Sequence, residues 1–161
     1  MKRIFAIALL VYVAFLIEFV LYNMFGVWGK PELMVLMIVF CNLYWGIRYS
    51  IWAAFIAGLL KGAFCIEPVG TYLLIYIAAA YLTTAVRQGI YQRGSKFSRV
   101  VVAFFVLIGI FTMEVLLHMR LFEVRLLEAM GYILVPQIVL SMAVATLIFH
   151  HLRNIVVKMK L

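Results

Sequence analysis

The sequence predicts an all-α integral membrane protein, a bundle of six transmembrane helices in a single domain. The first observation is composition: the 161 residues are 68% hydrophobic with a mean hydropathy of +1.17. This leaves too little polar surface to coat a soluble globule of that size. The second is that apolar stretches approaching the roughly 20 residues needed to cross a bilayer nearly exhaust the chain. The alternation of a membrane barrel is missing, so the spanning elements are predicted to be helical.

Six apolar stretches define the predicted spans. In chain order they cover residues 4–25, 31–47, 50–64, 69–86, 100–119 and 132–152. The first follows two cations as a signal peptide would, but its apolar run is too long and lacks a small-residue cleavage site, so we expect it to be retained. Pro31 opens the second span, and Pro136 is positioned to kink the sixth. The connections are short, which predicts that consecutive helices are antiparallel neighbours.

The third observation is the distribution of cations, which predicts the orientation. Of the 14 Lys and Arg residues, ten fall in alternate gaps that contain no acid. These ten are Lys2, Arg3, Arg48, Arg87, Arg93, Lys96, Arg99, Arg153, Lys158 and Lys160. The opposite side carries Lys30, Lys61, Arg120 and Arg125, balanced by Glu32, Glu67, Glu123 and Glu128. Short basic loops resist translocation, so both termini are expected in the cytoplasm.

Two connecting segments leave alternatives open. The inner segment 87–99 contains four of the cations and either serves orientation alone or lies against anionic headgroups. The outer segment 120–131 is either a short interfacial helix or the frayed end of the fifth span. Its charges do not sort onto one helical face, which favours the second interpretation.

Small residues in the third span form a stripe at four-residue spacing, made of Ala54, Gly58 and Gly62. Such a stripe lets another helix approach closely and gain dispersion contact, the main source of helix association in lipid. The sequence leaves open whether it faces another helix of the same chain or a partner protein. We take Ala54, Gly58 and Gly62 as the candidate partner-binding residues.

Two acids interrupt the apolar spans, Glu18 in the first and Glu114 in the fifth. Buried charge in a bilayer is costly, so such residues usually pair, protonate or line a cavity. Under the predicted orientation both lie in the outer half of the membrane, as does Lys61, with His118 one turn beyond Glu114. We therefore predict an intramembrane polar cluster of Glu18, Lys61 and Glu114. A structural clasp, a partner or ligand contact, and proton transport are its possible roles.

The sequence contains no arrangement typical of a catalytic, metal or cofactor site. The histidines have no Ser or Cys nucleophile at a recognisable motif. Cys41 and Cys65 lack metal-ligand spacing and are predicted to be free apolar fillers. The +8 net charge is explained by membrane orientation, because no soluble domain presents a basic face to nucleic acid. The expected protein is a non-enzyme without a cofactor.

The stretch from Gly29 to Gln88 resembles the rod shape-determining protein MreD family. This stretch reads GKPELMVLMIVFCNLYWGIRYSIWAAFIAGLLKGAFCIEPVGTYLLIYIAAAYLTTAVRQ. It shares with the family Pro31 at the opening of the second span and Gly58-Leu59-Leu60 in the third. It also shares Pro68-Val69-Gly70 before the fourth span, the spacing from Gly58 to Gly70, and the following Leu73 and Leu74. The chain departs from the family pattern at Gly62, where an Asp is common. No role of that acid transfers to this chain.

The resemblance implies a non-enzymatic scaffold subunit of the bacterial cell-elongation complex in the inner membrane. The implied partners are MreC, whose membrane helix it would bind, and the further members of that complex: MreB, RodA and penicillin-binding protein 2. The family is also similar in architecture to the substrate-binding subunits of energy-coupling-factor transporters. The alternative function is therefore a vitamin-binding transporter subunit, with a pocket among Glu18, Glu114 and Lys61.

Overall fold

A computed structural model describes residues 2–26, 31–64, 68–90, 96–122 and 135–158. The secondary structure in these ranges is helical, which confirms the predicted all-α class. Six α-helices follow one another along the chain: α1 Lys2–Phe25, α2 Leu33–Trp45, α3 Ile47–Phe64, α4 Val69–Ile90, α5 Lys96–Phe122 and α6 Val135–Lys158.

Three of these helices are long and apolar enough to cross a membrane by themselves. They comprise Ile4–Phe25, Ile47–Phe64 and Ser98–Leu116, and the middle one corresponds to the shortest predicted span. Two further apolar segments, Leu33–Trp45 and Gln137–Leu147, are shorter than a full span. Length and apolar composition together are those of a helical membrane protein.

Helix α2 is the centre of the bundle, and it packs against each of the other five helices. All eleven residues from Leu33 to Leu43 are buried. A helix of 13 residues extends only about 20 Å, less than the roughly 30 Å of bilayer hydrocarbon. Because the other helices enclose α2, protein rather than lipid surrounds most of its surface.

A single residue, Gly46, separates α2 from α3. Its φ of 89° lies in the left-handed region that side chains disfavour, and its N–H donates to the carbonyl of Asn42 at 3.1 Å. Ser50 then ties the two helices together, because its hydroxyl donates to the carbonyl of Ile38 at 3.1 Å. The direct link makes α2 and α3 a closely packed helical hairpin.

The helices differ from the predicted spans mainly at their ends. α3 begins at Ile47 rather than residue 50, α4 continues to Ile90, and α5 begins at Lys96. Much of the predicted inner connection 87–99 is therefore helical. α5 also continues to Phe122, so the start of the segment 120–131 extends the fifth helix, while residues 123–131 lie outside the described ranges.

Candidate functional site: a buried ionic cluster

Lys61 is the centre of a polar cluster inside the apolar bundle. It lies in the last turn of α3 and is only 5% exposed. Its ammonium donates to Oε2 of Glu32 at 2.7 Å and lies 3.4 Å from Oε1 of Glu18. The cation thus contacts two carboxylates, one from α1 and one from the residue that directly precedes α2. A buried ammonium requires such compensation, since leaving it unpaired would cost several kcal/mol, of the order of 3 or more.

Glu32 connects three parts of the bundle at the start of α2. Its Oε2 accepts from Lys61 of α3, while its Oε1 accepts from Nε2 of Gln137 on α6 at 3.0 Å. Its backbone N–H donates to the hydroxyl of Ser141, also on α6, at 2.9 Å. The residue is 3% exposed. Every one of these groups is buried, so the contacts form in a low-dielectric environment where hydrogen bonds are electrostatically strong.

Glu18 brings α1 into the same cluster. Its carboxylate contacts Lys61 through Oε1 and accepts the backbone N–H of Met34 through Oε2 at 3.3 Å. Met34 lies in the first turn of α2, whose N–H groups have no partner within the helix. Glu18 therefore compensates the positive charge of Lys61 and satisfies one unpaired N–H of α2.

Helices α4 and α5 complete the surroundings of Lys61. The ammonium lies 5.4 Å from the ring centroids of both Tyr72 and Tyr76 on α4, within the range of cation–π attraction. Glu114, half-buried on α5, also interacts electrostatically with Lys61, more weakly than Glu32 or Glu18 does. Helices α1, α2, α4 and α5 therefore all contribute to the environment of this lysine on α3, and α6 joins the cluster through Glu32.

The chemistry of the cluster suits helix association. It combines two tightly bound carboxylates, one ammonium, one amide and one hydroxyl, and these groups satisfy one another. Within the described ranges, no group of three or more His, Cys, Asp or Glu side chains is arranged to hold a metal ion.

The structure corrects the predicted position of one charged residue. The sequence placed Glu32 among the outer loop charges that balance nearby cations, but it is buried and makes the shortest contact to Lys61. Sequence reasoning missed it because a glutamate just before an apolar helix resembles an interfacial charge. The available signal was that Lys61 near the end of α3 and Glu32 at the start of α2 occupy the same end of a helical hairpin.

The stripe of Ala54, Gly58 and Gly62 lies inside the bundle. All three residues are buried, and a Cβ added to Gly58 would lie 2.8 Å from the Cα of Leu73 on α4. Backbone approach of this kind is what small residues permit between membrane helices. In the described fold α4 occupies the stripe at Gly58, so we do not propose this stripe as the face that receives a partner helix.

Asn42 forms a second buried polar contact, near the other end of α2. Its Nδ2 donates to the carbonyl of Ala80 at 3.0 Å and to the hydroxyl of Thr84 at 2.9 Å, both on α4. The backbone carbonyl of Asn42 accepts from Nη1 of Arg87 at 2.9 Å. These bonds fix the C-terminal half of α2 against α4, just as the ionic cluster fixes its N-terminal end.

Replacing Asn42 with alanine is expected to lower the free energy of unfolding by about 1–2 kcal/mol, because the hydrogen bonds of its amide to Ala80 and Thr84 are lost. Asn23→Ala is the matched control, since Asn23 is exposed and donates only to Phe19 of its own helix. Thermal unfolding in detergent should show a clear decrease for the first variant and almost none for the second. Equal decreases would contradict the assignment.

The two cysteines and His118 were also singled out in the sequence. Cys65 lies outside the described ranges, as does the side chain of His118 on α5. Cys41, by contrast, is buried in α2 and free. It contributes apolar volume to the centre of the bundle.

Comparison with known families agrees with this architecture. The family model for the rod shape-determining protein MreD matches residues 1–158. No curated protein sequence and no solved structure matches the chain. The family match extends well beyond the segment 29–88 that carries the motif resemblance, and it includes all six helices and every residue of the ionic cluster. This membrane protein therefore belongs to the MreD family of rod shape-determining proteins.

Proposed function

We propose that the chain is a non-enzymatic scaffold subunit of the bacterial cell-elongation complex, embedded in the inner membrane with both termini in the cytoplasm. The match to the MreD family over residues 1–158 is the observation that carries this proposal. The distribution of basic residues supports the orientation. A reporter fusion near residue 93 reads that orientation directly, and a periplasmic signal there would contradict it.

The ionic cluster supports a structural role in such a scaffold. Lys61 contacts Glu18 on α1, Glu32 at the start of α2 and the tyrosines of α4, and Glu32 in turn binds Gln137 on α6. The cluster therefore couples the positions of these helices at one end of the bundle. A partner helix that binds in lipid needs a surface of fixed shape, because its affinity depends on close packing. We infer that Glu18, Glu32 and Lys61 act as a clasp that keeps this surface constant.

The vitamin-binding alternative has less support. It depends on Glu18, Glu114 and Lys61 being available to a ligand in a pocket. Lys61 and Glu18 instead bind each other, and Glu32 and Gln137 bind within the same cluster. The likeness to the substrate-binding subunits of energy-coupling-factor transporters remains a prediction, and retained vitamin detected by native mass spectrometry would favour it.

The exposed face of α1 is our proposed contact for the membrane helix of MreC. Only 22% of the spanning part of α1 is buried, against 39% in the spans of α3 and α5. Phe5, Leu9 and Val13 point away from the bundle along one length of this helix. A partner helix can pack against this face without displacing any contact described above.

Site-specific photo-crosslinking in membranes tests this assignment. A photoreactive residue at Leu9 is expected to capture MreC, whereas one at Phe105, an equally apolar and exposed position on α5, is expected to capture much less. An unrelated single-span helix expressed at the same level is the control for chance encounters. Capture of MreC at Phe105 alone would move the contact to α5, and failure of MreC to co-purify at all would overturn the scaffold proposal.

A further inference from the structure

Tyr12 carries a polar hydroxyl in the middle of α1, whose span is the least buried of the three that are long enough to cross the membrane. In the span Ile4–Phe25, Tyr12 follows Ile4 by eight residues and precedes Phe25 by thirteen. These separations correspond to about 12 Å and about 20 Å along the helix axis. Both distances exceed the length of a tyrosine side chain, so the hydroxyl reaches neither end of the span.

The side chain of Tyr12 lies on the outward face of α1 and is 48% exposed. Leu9 and Leu16, one turn before and one turn after it on the same face, are exposed as well. Ile7 and Ala14, on the far side of the helix, are buried against the bundle. Tyr12 makes no hydrogen bond to any residue that the structure describes. Its hydroxyl is therefore directed into the hydrocarbon region without a partner from the described bundle.

Three other exposed polar side chains are satisfied by their own helices. Thr112 on α5 and Thr146 on α6 each donate to the carbonyl four residues earlier, both at 2.8 Å. Asn23 on α1 does the same at 3.0 Å. Tyrosine has no such option, because its rigid ring holds the hydroxyl away from the backbone of its own helix. The partner of the Tyr12 hydroxyl has to come from another molecule.

We propose that the Tyr12 hydroxyl forms a hydrogen bond with a polar side chain in the middle of the partner's membrane helix. This inference rests on the proposed contact between α1 and MreC. An unpaired hydroxyl at this depth is costly, because hydrocarbon offers no hydrogen-bonding group. Polar side chains of adjacent membrane helices bond to each other under these conditions. The matching partner is a helix with Ser, Thr, Asn or Gln at the depth of Tyr12.

The hydrogen bond would give the contact an alignment that apolar packing alone does not specify. Leucine and phenylalanine side chains on α1 are as apolar as lipid, so they permit several positions of a second helix along it. A hydroxyl at one fixed depth selects the position in which the two polar groups meet. Tyr12 is therefore a specificity-determining residue of this face.

Energy transfer between the fluorescently labelled full chain and labelled full-length MreC in lipid vesicles measures their dissociation constant. Tyr12→Phe removes only the hydroxyl and is expected to raise this Kd about three- to tenfold, the effect of losing one hydrogen bond between membrane helices. Thermal unfolding of the same variant without MreC should match that of the native chain, since no described residue of the bundle bonds to the hydroxyl.

Tyr81→Phe is the matched control. Tyr81 is 57% exposed on α4, but it lies only five residues before Val86, the predicted inner end of the fourth span. Its hydroxyl can extend to headgroup depth, where water and lipid provide partners. Loss of this hydroxyl is expected to leave both the Kd for MreC and the unfolding temperature unchanged.

Substitutions in the MreC helix test the chemistry of the partner. Each polar residue in the middle of that helix is replaced in turn by alanine, and binding is measured with the native chain and with Tyr12→Phe. One replacement is expected to weaken binding to the native chain by a similar factor and to add no further loss with Tyr12→Phe.

The outcomes separate this inference from the scaffold proposal. If MreC binds the native chain and Tyr12→Phe equally well, the hydrogen bond is wrong and the scaffold proposal stands. If MreC does not bind the native chain, both are wrong. Additive losses for every polar residue of MreC would overturn the side-chain partner. Energy transfer between two labelled copies of the chain that Tyr12→Phe abolishes would assign the hydroxyl to a second copy and overturn its assignment to MreC.

Discussion

Replacing Lys61 with methionine is expected to lower the free energy of unfolding by about 3 kcal/mol or more, the largest effect of any single substitution considered. Methionine fills a similar volume, so the loss is electrostatic. Glu32 and Glu18 would remain buried without the cation that compensates them, at 2.7 and 3.4 Å in the native protein. Removing one partner of a buried ion pair typically costs about 3–5 kcal/mol. Thermal or denaturant unfolding in detergent measures this loss.

A double-mutant cycle separates the ion pair from simple loss of packing. Glu32→Gln should itself destabilise the protein, because Lys61 then loses its nearest carboxylate. Combined with Lys61→Met, however, it should cost clearly less than the sum of the two single changes, since the double variant leaves fewer uncompensated charges. Arg48→Gln, which removes an exposed cation, is the control and should change stability by less than about 0.5 kcal/mol. Additive effects of Lys61→Met and Glu32→Gln would contradict direct coupling.

Gly58→Ala is expected to lower the free energy of unfolding by about 2–3 kcal/mol. This is the upper part of the range of about 1–3 kcal/mol that is typical when one extra methyl group is forced into a packed interior. The added methyl group would lie 2.8 Å from the Cα and 3.2 Å from the N of Leu73. Both are backbone atoms, so α3 and α4 must separate to admit it. Unfolding in detergent measures the loss directly.

Two other glycines provide a graded control for this prediction. At Gly109 the new methyl group would meet only the end of the Leu82 side chain, which can rotate away, so a smaller loss is expected. At Gly70 nothing lies within 4 Å, and alanine should leave stability unchanged or slightly increased. The expected order of destabilisation is therefore position 58, then 109, then 70. A loss at Gly70 as large as at Gly58 would show that the close approach of α3 and α4 is not the cause.

The class of the protein was predictable because it depends on properties that sum along the chain. Hydrophobic content and the length of apolar stretches decide whether a chain enters a bilayer, and both are visible without coordinates. Helix ends were less predictable. The break between α2 and α3 occurs at Gly46 alone, and residues 47–49 belong to α3 rather than to a turn. One residue with positive φ is enough to separate two helices, which a hydropathy pattern does not resolve.

The polar cluster was only partly predictable. Glu18 and Lys61 were identifiable because charge is costly inside an apolar span and calls for a partner. Glu32 was not, since its position just before α2 is equally suited to an interfacial charge and a buried one. Gln137 was recognisable as a group that bridges helices, but its partner, Glu32, lies 105 positions away in the chain. Contacts of that separation depend on how the helices assemble.

The stripe on α3 shows the same distinction. Its spacing indicated that a helix would approach Gly58 closely, which is a local property of side-chain size. The identity of that helix was open, and the structure assigns Leu73 of α4 to this position.

By itself the sequence determined that this chain is a helical membrane protein and where its apolar helices lie. It also indicated that charged residues inside the spans, Glu18 and Lys61, need partners. These properties follow from transfer free energies, which act on each segment separately. Only the tertiary structure decided that α2 is enclosed by the other helices and that Glu32 is the nearest partner of Lys61. The physical reason is that a pair energy depends on the distance between two groups, and that distance is set by packing between helices.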